Sequence, residues 1–172
     1  MKPSRKQRRV HRTILLVGEG ASEVLFLEHL KRLYLERGSG LAITIKNAHG
    51  KGAGHVVNFA IRQSRNAAYD IKIALLDTDA DWTDKVSKSA RINKVQVLPC
   101  DPCFESVLLT IHQKPVTGRT TAQLKTIFET EFGVAASDIG MLKHFPKELL
   151  DEARLRVDIL NKLLEVMQPS VL

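Results

Sequence analysis

Cysteine is nearly absent from this chain. Cys100 and Cys103 are the two it has, and two cannot build the multi-bridge framework that holds small secreted domains together. The compartment expected from that shortage is a reducing one, the cytoplasm. Long apolar runs are missing as well: none approaches the ~20 residues that cross a bilayer, so no membrane segment is expected. The apolar run Ile14 to Val17 that follows the basic start is too short for the core of a secretory signal. Acid is missing from the first twelve residues, where Lys2, Arg5, Lys6, Arg8, Arg9 and Arg12 stand. The remainder balances 20 basic against 19 acidic residues, so the formal charge of +7 belongs almost wholly to this arm. Residues 1–12 read as a disordered basic arm, which either holds polyanions through counterion release or serves as a solvated terminus.

What is present is a repeated pairing of apolar runs with acids. At 172 residues the chain fits one domain with a helical appendage and can bury a real core. Thr13 to Val17 is aliphatic without alternation, the pattern of a strand buried on both faces. It ends at Gly18-Glu19-Gly20 and leads into a helix expected from Ser22 as N-cap to about Arg37, with Val24, Leu27, Leu30 and Tyr34 as its buried stripe. A second strand is expected over Leu41 to Ile45, then a glycine-rich loop over residues 47–55 and a helix to about Asn66. The third strand, Ile71 to Leu76, stops at Asp77. A short polar helix over Thr83 to Ala90 and a fourth strand, Lys94 to Leu98, stopped by Pro99, complete the order β-α-β-α-β-α-β. That order predicts an α/β fold, Rossmann-like, with a mostly parallel four-stranded sheet covered by helices on both faces.

Residues 113–172 change character and predict a helical C-terminal extension packed on a core of residues 13–112. Pro102 is expected at the first position of a helix running to Ile111. Thr120 to Phe132 is expected as another helix, ended by Gly133. Pro146 opens a final helix to about Met167, whose stripe of Leu149, Ala153, Val157, Leu160, Leu164 and Met167 either packs on its own domain or forms a homodimer seam.

Ligands of such sheets bind at the carboxyl ends of the strands, where Glu19 and Asp77 are both placed. In an extended segment residues two apart point the same way, so Asp77, Asp79 and Asp81 are expected to converge. Like charges that close raise one another's pKa unless a cation lies between them. Mg2+ or Mn2+ suits such a site, because a hard ion takes carboxylate oxygens and keeps waters for a phosphate to replace. Glu19 is then a third ligand or the general acid/base. The competing expectation is that Asp77 to Asp81 merely caps a turn and a helix start.

Val17-Gly-Glu-Gly-Ala-Ser-Glu23 after the first strand and Leu75-Leu-Asp-Thr-Asp79 after the third resemble the two signature motifs of the Toprim fold, shared by topoisomerases, primases and OLD-type nucleases. Asp101-Pro-Cys-Phe-Glu-Ser-Val-Leu-Leu-Thr-Ile-His112 is similar to a segment of the RloB-like family, bacterial Toprim-like proteins of restriction loci and abortive infection. Val107 stands where that family commonly has Trp, and Asp101 where it has Asn. The resemblance implies a catalytic Glu19, a metal-binding pair Asp77 and Asp79, and phosphodiester chemistry on nucleic acid with a divalent metal. Glu23 matches the second acid of the first motif; it either helps hold metal or stabilises its helix start. Glu105 and His112, seven apart on one helical face, are expected either to extend the site or, for the histidine, to be structural.

Other constellations weigh less. Gly18-x-Gly20-x-x-Glu23 only partly mimics a dinucleotide fingerprint, and an acid inside the phosphate loop would repel the ligand. The loop around Lys51 lacks the Gly-Lys-Ser/Thr ending of a P-loop. Cys100-Asp-Pro-Cys103 has redox spacing at a helix start. The expectation is a metal-dependent nuclease acting in phage defence. Its rivals are a non-catalytic subunit that binds nucleic acid or a defence-system partner protein, and a phosphoacceptor domain, for which no clear Lys-bearing partner strand is offered.

Overall fold

The computed structural model describes residues 10–168; of the basic arm, residues 1–9 lie outside the described residues. Four parallel strands, β1 (Arg12–Gly18), β2 (Leu41–Asn47), β3 (Ile71–Asp77) and β4 (Gln96–Cys100), form one sheet in the order β2-β1-β3-β4. This is the expected α/β, Rossmann-like architecture. Among the described residues no helix is long and apolar enough to cross a membrane.

The two faces of β1 divide its aliphatic run between two cores. Ile14 and Leu16 face one core with α1 (Ala21–Tyr34), α4 (Phe104–Ile111), α5 (Thr121–Phe132), a 3-10 turn (Ile139–His144), α6 (Lys147–Ala153) and α7 (Asp158–Met167). Leu15 and Val17 face the other, with α2 (Ala53–Asn66) and α3 (Asp84–Ile92). The helical extension therefore shares the larger core with α1.

Four local expectations are corrected. The first helix is capped at Gly20, not Ser22: the Glu23 carboxylate accepts from the Gly20 N–H at 3.0 Å, so the helix closes its own first turn. The fourth strand runs through Pro99, which lies opposite Leu76; β4 is an edge strand, where a residue without an N–H is tolerated. Pro102 is not the first residue of α4. Cys103 is the N-cap, and the Asp101–Pro102 peptide is cis.

The long final helix is in fact two. After α6 the chain tightens into a turn in which Leu155 N–H donates to Glu152 and Arg156 N–H to Ala153. Arg156 reaches the Ile111 carbonyl at 2.7 Å, and Arg154 reaches Asn161 at 3.0 Å. Ala153, Val157, Leu160, Leu164 and Met167 are buried within this chain and Leu149 is partly buried against the same core, so the stripe packs on its own domain.

Candidate metal centre

The chain order reverses between β1 and β3, with β2 on one side of β1 and β3 and β4 on the other. Connections leave to opposite faces at such a point, and a crevice opens at the strands' carboxyl ends. Glu19 follows β1 directly. Its N–H donates to the Leu75 carbonyl at 3.1 Å and its own carbonyl accepts from Gly50 N–H at 2.7 Å, which ties its backbone to β3 and to the glycine-rich loop. Gly18 allows the turn: a Cβ there would stand 2.8 Å from the Cβ of Glu23.

The Glu19 carboxylate accepts from the Asp77 N–H at 2.9 Å. Two acids 58 residues apart thus meet at the strand ends. Asp77 is half-buried, and its Oδ1 is fully covered with no hydrogen-bond partner. Burial pushes its carboxyl up to about 8, and the charges of Glu23, Glu19, Glu105 and Asp79 add to the effect. Glu23 is buried in the first turn of α1 and rises to about 7. Burial is the main cause, opposed by backbone hydrogen bonds and reinforced by Glu19 and Glu105.

Glu105, buried in the first turn of α4, belongs to this neighbourhood. It also acts on Cys103, whose thiol is pushed up to about 12 by burial first and by Glu105 next. Burial and then Asp77 hold the Cys100 thiol well above its ordinary value. Both cysteines are buried and free, and a protonated thiol is a poor nucleophile.

The expected fan of three aspartates does not form, because the chain bends after Asp77 instead of staying extended. The N–H groups of Thr78 and Asp79 both donate to the Pro102 carbonyl at 3.1 Å. Asp79 stays close enough to act on Asp77, but its Oδ2 accepts from the Thr121 hydroxyl at 2.7 Å. Asp81 turns to the other face, where its carboxylate accepts from Gly54 N–H at 3.1 Å and caps the start of α2. The turn-and-cap expectation thus holds for Asp81.

His112 is also corrected. It ends α4, its Nε2–H donates to the His144 carbonyl at 2.8 Å, and its ring packs against Phe132 and Phe145 at 4.8 and 5.0 Å. Seven residues of helix separate it from Glu105 by about 10 Å, and burial lowers its pKa, an environment that matches the structural alternative. Thr121, the partner of Asp79, was not singled out by sequence. It lies 42 residues away with no local signal to connect them.

Among the described residues, no group of three His, Cys, Asp or Glu side chains forms a preformed cage for a metal ion. A cage is not what Mg2+ or Mn2+ demands, since one or two carboxylates with waters and a phosphate suffice. Asp77 and Asp79 offer oxygen donors of the chemical type such an ion takes, and the Asp77 Oδ1 has no other partner. Comparison with protein-family models, curated proteins and solved structures returns no match for this chain.

Proposed function

We propose that this chain is a Mg2+- or Mn2+-dependent phosphodiester-processing protein of the Toprim kind, similar to the RloB-like family. In this reading it cleaves DNA or RNA in the cytoplasm as part of phage defence. The observation that carries the reading is the meeting of Glu19 and Asp77 at the strand-order reversal, with Asp77 Oδ1 covered and unpartnered. Asp77 and Asp79 hold the ion, which when bound supplies positive charge against phosphate oxygens. Glu19, fixed by the Asp77 N–H, is the group that passes a proton to the leaving oxygen. Glu23 and Glu105 raise the negative potential behind them and thereby the preference for a divalent ion.

The test is cleavage of labelled DNA and RNA with Mg2+, Mn2+ or EDTA. Glu19→Gln is expected to lower the rate about 10²- to 10⁴-fold, and Asp77→Asn to abolish metal-dependent cleavage, while circular dichroism shows the fold retained. Full activity in both variants contradicts the reading. A second reading, a binding subunit that keeps an acidic pocket without catalysis, is favoured by Asp79 being engaged with Thr121; it predicts nucleic-acid binding with no cleavage in any metal.

A further inference from the structure

The near-neutral composition of the body hides a segregation of charge. Lys51, Arg62 and Arg65, before and on α2, and Lys85, Lys88 and Arg91 on α3 are all exposed. Asp84 is the single acid within those two helices. The ion pairs among the described residues, Lys114–Glu131, Lys147–Asp151 and Lys162–Asp158, all lie beyond α4, so none neutralises a cation of the α2/α3 face.

That face is also concave. A cavity of about 540 Å³ between α2 and α3 is lined by Lys51, His55, Asp81 and Lys85. Through His55 and Asn58 it adjoins a hollow of about 350 Å³ that reaches Arg62 and Arg65. The 14 residues of α2 give the groove a length of roughly 20 Å, enough for several phosphates of a strand. Its upper end adjoins the acids, because Lys51 follows Gly50, whose N–H donates to the Glu19 carbonyl. The start of α2 is not the anion-binding element, since Asp81 already occupies the Gly54 N–H. The exposed cations are what a ligand meets.

We propose that this groove holds the phosphodiester backbone of a nucleic-acid strand and guides it to Glu19 and Asp77. The inference rests on the phosphodiester reading above and adds the surface that would deliver the substrate. Spaced side-chain cations bind such a backbone by releasing its counterions, without reading bases.

The experiment measures binding of the full chain to a short labelled single strand in EDTA, from ~50 to ~200 mM salt, so that metal-dependent cleavage does not enter. Replacing three cations, R62Q/R65Q/K85Q, is expected to reduce the slope of log K against log salt by about two. The control R37Q/K125Q/K143Q, exposed cations on the opposite side, leaves it unchanged. An unchanged slope in the groove variant overturns the proposal, as does an equal loss in the control or displacement of the strand by polyglutamate at matched charge. Circular dichroism of each variant checks that these exposed substitutions leave the fold intact. A reduced slope in a protein that never cleaves would leave the groove standing and remove only the catalytic reading.

Discussion

At the scale of single residues, the strongest feature is a pair of carboxyls held far from their ordinary behaviour. Asp77 sits at about 8 and Glu23 at about 7, each chiefly through burial. Folding therefore favours their protonated forms. Their contribution to stability is complete below the ordinary carboxylate range, near pH 4, and is lost as pH rises through about 7 and 8. In EDTA the melting temperature is expected to fall between about pH 5 and about pH 9, and added Mg2+ to offset the fall by favouring the deprotonated carboxylates. Asp77→Asn should shrink both the fall and the rescue. A melting temperature that is flat across this window and indifferent to Mg2+ contradicts the electrostatic account.

At the scale of elements, β1 and β3 declare themselves most plainly in the sequence. The acid-terminated apolar runs announced β1 and β3 and the strand ends where Glu19 and Asp77 meet, because a buried parallel strand needs an unbroken aliphatic stretch. Tertiary features were not legible in this way. Ser22 has the chemistry of an N-cap, yet the Glu23 side chain does that work from inside the helix. The bend after Asp77 depends on the Pro102 carbonyl, supplied from 25 residues further on, so alternation alone could not reveal that Asp79 and Asp81 diverge. The break between α6 and α7 escaped detection because a tight turn returns Val157 to the core and keeps the apolar period intact across it.

That burial makes an element-scale prediction. Leu164 in α7 is fully buried, so Leu164→Ala is expected to cost about 2–5 kcal/mol in chemical denaturation, with no change in mass by light scattering. A change of oligomeric state with little loss of stability would instead assign α7 to an interface between copies.

At the scale of the molecule, the fold separates three kinds of surface. Acids gather at the strand ends between β1 and β3, cations line the α2/α3 side, and charges of both signs pair along the C-terminal helices. This distribution was hidden in the composition, where 20 bases and 19 acids in the body cancel, because the sum of charge carries no information about faces. Under the proposed function, an acidic centre beside a basic groove suits a polyanion that must approach carboxylates, since the groove would offset their repulsion and a divalent ion would neutralise what remains. The central proposal is that Asp77 and Asp79 hold that ion, and a titration with Mn2+ followed by electron paramagnetic resonance tests it most directly. Saturable binding to the wild-type chain that is lost in both Asp77→Asn and Asp79→Asn is the predicted result. Mn2+ binding of equal strength in the wild type and in both variants would contradict it.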